Sequence, residues 1–428
     1  MNAYDIPSDE DEVDENNRDD EKRTFSRKVN QPSRITAQKL SITSPIKNPW
    51  NPKVGYVFSP KLLMLCDKMV QVRGRARLVH SLIASYKLLE SLRVEILPPV
   101  LASYEDLVSF HDSTFVNYLR EMNSAIDDED DLDEEGEDFG LMYDCPPVKR
   151  IYEFVLRTVG ASLTAARSLT SGRCGVAINW FGGWHHAQRD RAAGFCYAND
   201  VVISIQELKK KLGKVLYVDL DLHHGDGVQE AFRHTDSVFT VSFHKHETGF
   251  FPGTGALEEV GLGKGAGCCV NVPLKDGIAD EKYRSVFARV MFIVLKRFRP
   301  SAVVIQCGAD GLFGDPHQSF NLTSNAVVEC VRYLMDHCPV PTLLLGGGGY
   351  NHVNTAKCWT SVLGAVLDED IPDDIPDSCS QFEQFGPDFT INVTPGYVED
   401  KNSEDYLDSL VCFISKQCSV NGFDESVS

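Results

Sequence analysis

No two of the chain's thirteen cysteines are spaced Cys-x-x-Cys, and Cys268 and Cys269 are direct neighbours. This pattern excludes the common cysteine zinc motifs and does not read as a disulfide framework. All thirteen are expected to be reduced thiols, as in a protein of the nucleus and cytoplasm. No apolar run reaches transmembrane length. The first residues are acidic and lack the apolar segment of a secretory signal, so the sequons at Asn321 and Asn392 read as chance matches. Positive charge is scarce: 42 Lys and Arg stand against 62 Asp and Glu, for a net charge of −20. The deficit is local, because residues 1–23 are net −7 and residues 127–138 are net −10. The remainder is close to neutral and shows no basic face, which argues against direct nucleic-acid binding. There is also no internal repeat.

What is present is order over the middle of the chain. Residues 1–48, acidic and then rich in Ser, Pro and Lys, are expected to form a disordered tail. A folded domain is expected over 49–395, with 127–138 as a solvated acidic loop. Residues 396–428 are weakly patterned and are expected to pack on the domain and then fray. A strand is predicted over 53–59, and helices over 77–93 and 104–122. Apolar strands then follow at 176–180, 214–222, 238–244, 269–273, 302–307 and 341–345. They alternate with helices at 150–171, 199–212, 281–299, 325–338 and 355–367. Apolar strands alternating with helices predict a single-domain, three-layer α/β/α fold with a mostly parallel central sheet. In such a fold the site gathers at the C-terminal ends of the strands.

One strand end dominates. Val215, Leu216, Tyr217 and Val218 are strand-formers, and Asp219, Asp221 and His223 follow at every second position. On an extended chain all three point to one face. Unpaired carboxylates beside a buried sheet resist desolvation and repel each other, whereas a divalent cation removes both difficulties. Carboxylate oxygen with imidazole nitrogen suits zinc. The alternative is a polar strand end, with Asp226 capping the next helix.

Four further clusters lie at strand ends or loops. Trp180-Phe-Gly-Gly-Trp-His185-His186 offers paired imidazoles for acid–base work, with Asp219 and Asp226 as candidates to fix their tautomers. Gln306-Cys-Gly-Ala-Asp310 offers Asp310 as a third metal ligand, against a bland role as a helix cap. Two carboxylates and one histidine would leave bound zinc formally neutral, so extra electrophilic help is expected. Gly346 to Gly349 let the backbone approach closely, and Tyr350 after them could donate to an oxyanion. Gly194-Phe195 and Phe250-Phe251 could line a narrow slot, although such residues alone are more often core. His224 and the Lys209-Lys210-Lys211 run read as structural and solvated, respectively.

Taken in order, Gly-Gly-Trp-His-His-Ala, Gly-Phe-Cys-Tyr-x-Asn-Asp, Tyr-Val-Asp-Leu-Asp-Leu-His-His-Gly-Asp-Gly, Gly-Phe-Phe-Pro-Gly-Thr-Gly and Gly-Gly-Gly-Gly-Tyr-Asn resemble the class I zinc-dependent histone deacetylases. The resemblance covers residues 53–393 and implies an arginase/deacetylase-like fold. It implies zinc at Asp221, His223 and Asp310, with ferrous iron an alternative occupant in cells. His185 and His186 would be the acid–base pair, backed by Asp219 and Asp226, and Tyr350 would polarise the carbonyl. Gly194, Phe195 and Phe251 would wall the acyl-lysine slot, and Asp144 would hold the substrate backbone at the rim. A structural potassium or sodium ion is implied near Asp219, Asp221, His223, Ser242 and Phe243. His317 stands at the rim where relatives have Met or Leu, Phe181 replaces a small residue, and Arg77 replaces a phosphorylatable Ser. Asp315-Pro316 lacks the nearby basic residue of members working in corepressor complexes with inositol phosphate.

The implied reaction is hydrolysis of an N-ε-acyl-lysine amide in histones or other proteins. The uncharged acyl-lysine suits an apolar slot. An acetylpolyamine amidohydrolase would want an acidic gate, of which only Asp144 is visible. A silent acyl-lysine reader would tend to lose a ligand or the tyrosine. A two-metal ureohydrolase would need more Asp and His ligands than these strand ends offer.

Overall fold

The strands are short, mostly apolar runs, and all but β2 are buried over most of their length. In chain order they are β1 (Val54–Val57), β2 (Val94–Leu97), β3 (Val176–Asn179), β4 (Val215–Asp219), β5 (Val238–Lys245), β6 (Cys269–Leu274), β7 (Ala302–Gln306) and β8 (Thr342–Leu345). The computed structural model describes residues 50–125 and 134–420. The expected tail over 1–48 and most of the acidic loop lie outside those residues. Glu134–Asp138, expected as loop, forms a short helix.

All eight strands join one parallel sheet in the order β2-β1-β3-β8-β7-β4-β5-β6. Alternate residues feed opposite faces, as pleating requires. Val176, Ile178, Leu216, Val218, Val303 and Ile305 enter one buried cluster. Ala177, Val215, Tyr217, Ala302 and Val304 enter another. The first is closed by helices Asp280–Phe298, Ser324–His337, His352–Leu367 and Glu404–Val420. Helices Ile151–Thr170 and Asp200–Leu212 close the second. A three-layer sandwich results.

The order matters more than the layers. β3, β8, β7 and β4 are consecutive neighbours in the sheet. They are the strands after which the sequence carries His185-His186, Tyr350, Asp310 and Asp221–His223. Four motifs distant in sequence therefore emerge side by side at one edge of the sheet.

Several expected boundaries are corrected. β4 ends at Asp219 instead of running to 222, so Asp221 and His223 lie in the bend beyond it. The helix predicted over 77–93 is Arg75–Ser85. Lys87 takes a left-handed φ of 56°, a short 3-10 turn follows, and the chain enters β2. β2 went unpredicted because it is an edge strand buried fully only at Leu97, without a clean apolar alternation. The predicted helix over 104–122 is two, Tyr104–Val108 and Ser113–Ala125. The break falls where His111 Nε2 accepts the backbone N–H of Asn199. The weakly patterned C-terminal segment contains helix Glu404–Val420, whose Leu407, Leu410 and Ile414 are buried.

Trp180 and Trp359 stack under the β3 and β7 ends, with centroids 5.3 Å apart and planes 7° from parallel. Trp359 also donates its indole N–H to the Cys307 carbonyl at 2.7 Å. Trp359→Ala is expected to cost about 3–5 kcal/mol. It would be read as a lower urea midpoint with an unchanged slope.

Candidate active site

The bend after β4 is built by its own carboxylates. Asp219 Oδ1 accepts the N–H of Asp221 at 3.1 Å, and Asp221 Oδ1 accepts the N–H of His223 at 3.0 Å. Asp310, beyond β7, accepts the N–H of Leu222 at 2.8 Å. The two strand ends are thus tied together by side chain to backbone. The alternation seen in the sequence survives as a chain of local hydrogen bonds instead of a flat strand face.

These bonds aim three donors at one point. His223 Nδ1 lies 3.2 Å from Asp221 Oδ1 and 2.9 Å from Asp310 Oδ2. All three residues are buried. One imidazole proton can serve only one of the two carboxylates. Burial, and then the charge of Asp221, push the Asp310 carboxyl up to about 6. Burial opposes a charge on His223, but its hydrogen bonds to Asp221 and Asp310 outweigh this and raise it to about 10. Crowded anions facing a buried nitrogen fit a divalent cation, and oxygen, oxygen and imidazole nitrogen are donors zinc accepts. The described residues also include a metal-capable trio that the sequence did not suggest. It consists of His223, Asp310 and His317, whose ligand atoms lie within 4.8 Å of one another.

The paired histidines face this point. His185 Nδ1 is 2.7 Å from Asp219 Oδ2, and His186 Nδ1 is 2.7 Å from Asp226 Oδ1. Their Nε2 atoms are 3.0 Å apart. With both Nδ1 edges committed to carboxylates, the two Nε2 edges hold one proton between them. Burial works against charging His185, yet Asp219 and Asp221 outweigh it and hold the ring at about 9. Burial and then His185 push His186 down to about 4. Asp226 lies beyond the strand and opens helix Asp226–Phe232. Asn199 and Asp200, at the start of helix Asp200–Leu212, fix the histidine loop. The Asn199 amide donates to the carbonyls of His185 at 3.1 Å and Ala187 at 2.9 Å. Asp200 accepts the N–H groups of Gly183 at 3.0 Å and Trp184 at 2.8 Å.

Tyr350 follows the glycine turn after β8. Burial, aided by the charges of Asp310 and Asp221, raises its phenol well above the usual value, so it stays a donor. A Cβ on Gly348 would meet Asp310 Oδ2 at 2.3 Å, which is why that position is glycine. The Gly348 N–H donates to Asp221 Oδ2 at 2.8 Å, and Gln306 Nε2 donates to the same oxygen at 2.8 Å. Arg75, buried, donates to the carbonyls of Gly347 at 3.0 Å and Gly349 at 2.9 Å. Sequence reasoning missed it, because Arg75 falls before the helix predicted from residue 77 and its partners are backbone carbonyls.

Aromatic rings surround the opening. The Phe195 ring meets Tyr350 at 5.7 Å, and Phe251, 43% exposed, meets His186 at 4.8 Å. Gly194 has φ +54°, and a Cβ there would strike His186 Cδ2 at 2.5 Å. Asp144 Oδ2 accepts the Gly194 N–H at 2.9 Å. His317 packs on His223 at 4.8 Å and on Tyr350 at 5.0 Å. Ser242 pairs in register with Asp219, and Phe243 follows it on β5, so the expected monovalent-cation residues share one region. His224 is held by Thr254 and Gln229 at 2.8 and 2.9 Å, a structural placement as expected. All thirteen cysteines are unpaired.

Comparison with known proteins points one way. A family profile described as the histone deacetylase domain matches residues 69–366. Histone deacetylase 8 of Danio rerio is 46% identical over 361 residues, covering 84% of this chain and 94% of the relative. The histone deacetylase 8 of Xenopus tropicalis is 44% identical over 357 residues, 83% of this chain and 95% of the relative. Histone deacetylase 1 of Homo sapiens is 42% identical over 336 residues, 78% of this chain and 68% of the relative.

Asp310→Asn keeps the side-chain shape but removes a charge from the convergent trio. The purified variant is expected to hold far less than the about one zinc ion per chain that a single ligand trio predicts for the parent. Metal analysis after dialysis checks this, and full occupancy in the variant would remove Asp310 from the ligand set.

Proposed function

Because the chain belongs to the histone deacetylase family, a class of lysine deacetylases, we propose how its own residues carry out amide hydrolysis of N-ε-acyl-lysine. The observation that carries the reading is the His185–His186 pair, each ring backed by a carboxylate, facing the point where Asp221, His223 and Asp310 converge. Bound zinc, or ferrous iron in its place, supplies a Lewis acid that makes water a better nucleophile and polarises the acyl oxygen. Gly194, Phe195 and Phe251 take the methylene stem of the acyl-lysine, and Asp144 holds the substrate backbone at the rim. Tyr350, kept protonated, donates to the acyl oxygen as negative charge develops there. His186 accepts the proton of the attacking water, and the histidine pair passes a proton to the departing lysine amine. Asp219 and Asp226 hold the Nδ1 edges, so that both Nε2 edges face the reaction. A potassium or sodium ion near Asp219, Asp221, His223, Ser242 and Phe243 would stiffen the bend after β4.

The catalytic domain is assigned to 49–395. Acetylated histone tails and other acetyl-lysine proteins are the proposed substrates, in nucleus and cytoplasm, without a requirement for a corepressor complex or nucleic acid. Among the described residues no helix is long and apolar enough to cross a membrane.

The test compares an acetyl-lysine peptide with an acetylpolyamine, with and without a zinc chelator. Turnover of the peptide, lost on chelation and restored by zinc, is expected; preference for the polyamine would overturn the substrate assignment. His186→Ala is expected to lower kcat about 10²–10⁴-fold. Tyr350→Phe is expected to lower it about 10²–10³-fold while zinc content stays unchanged. Near-parental turnover in Tyr350→Phe would remove the phenol from the mechanism.

A further inference from the structure

His317 enters the site by a route of its own. It sits on the loop after β7, between Asp310 and helix Ser324–His337. Its anchor is Asp315, a buried carboxylate. Asp315 Oδ1 is 2.8 Å from His317 Nδ1 and accepts the His317 N–H at 3.1 Å. The other oxygen accepts the N–H groups of Tyr350 at 2.8 Å and Asn351 at 3.2 Å. One carboxylate therefore fixes both the imidazole and the loop that carries the phenol.

This is the third carboxylate–imidazole pair around one point, after Asp219–His185 and Asp226–His186. Its carboxylate sits on Nδ1 as theirs do, but it stands on the loop after β7, on the Asp310 side of that point. A carboxylate on Nδ1 places the proton there and leaves Nε2 with a free lone pair, the arrangement found in histidines that ligate metals. The ring lies edge-on to His223, and one of its two nitrogens falls within 4.8 Å of ligand atoms of His223 and Asp310. Its side chain is 30% exposed, so the ring has room to turn at the mouth of the slot. A neutral imidazole also adds no charge to a set that two carboxylates already balance.

We propose that His317 is a fourth protein ligand for the cation, taking up a coordination position when the slot holds no substrate and giving it up when an acyl group arrives. The inference rests on the ligand trio of Asp221, His223 and Asp310, and it predicts a cation held more tightly at rest than that trio alone would hold it. It also makes His317 a competitor of the acyl oxygen, so affinity for substrate and affinity for metal are traded against each other at one residue.

The test uses the full chain stripped of metal and titrated with zinc against a fluorescent chelator, for the parent, His317→Met and Asp310→Asn. Cobalt-loaded parent and His317→Met are compared by visible absorption, which reads the coordination sphere directly. His317→Met is expected to bind zinc about tenfold more weakly or worse, at least the loss typical of removing a partner around a metal site. Its cobalt bands are expected to change in position and intensity. Equal zinc affinity with identical cobalt spectra would overturn the role of His317, while tight binding by the parent and its loss in Asp310→Asn would leave the trio standing. A weaker affinity with an unchanged spectrum would also overturn it, because the effect would then be indirect. A parent that binds no zinc would overturn both readings. Asp315→Asn supplies a second variant with His317 intact; it is expected to shift the cobalt spectrum in the same direction as His317→Met.

Discussion

Two buried carboxylates that converge on one imidazole nitrogen are the constraint to which the rest of the molecule answers. Asp221 and Asp310 come from different strand ends and approach His223 Nδ1 to within 3.2 and 2.9 Å. Such an assembly is unstable on electrostatic grounds unless every lone pair is used. The surrounding chain uses them: the N–H groups of Leu222, His223 and Gly348 and the Gln306 amide all point at these oxygens. The glycine turn, the bend after β4 and the position of Gln306 in β7 all follow from that need.

The histidine pair solves a related problem with the opposite sign. Two imidazoles whose Nε2 atoms are 3.0 Å apart can share only one proton, and each has a carboxylate behind it. Tyr217 strengthens this arrangement by donating its hydroxyl to Asp219 at 2.6 Å from inside the sheet. A residue that reads as simple strand hydrophobe in the sequence therefore belongs to the polar network as well as to the core.

Much of this was legible beforehand, for identifiable reasons. Apolar runs alternating with helical periodicity gave the three layers, because strands buried on both faces are mostly apolar. The acids at Asp219 and Asp221 and the imidazole at His223 stood out because polar groups at a strand end need a reason to be there. What the sequence did not carry was neighbourhood. Nothing in it says that β3 lies next to β8, or β7 next to β4, since strand order is set by crossover packing between elements far apart in the chain. Arg75 was missed for the same cause: its partners, the Gly347 and Gly349 carbonyls, are backbone atoms with no signature. Asp315 was noted for its proline neighbour and not for its four hydrogen bonds, which exist only once the loop closes on Tyr350.

The sheet order has one more consequence. The histidine pair after β3 is joined to the groups after β7 and β4 only when β8 docks between β3 and β7. A nascent polypeptide still lacking residues 342–345 has a gap in the middle of its sheet, not at its margin. The ligand trio comes from β4 and β7, which pair directly, but the Gly348 N–H that braces Asp221, and the Tyr350 phenol, arrive only with β8, so support of the cation is coupled to completion of the sheet.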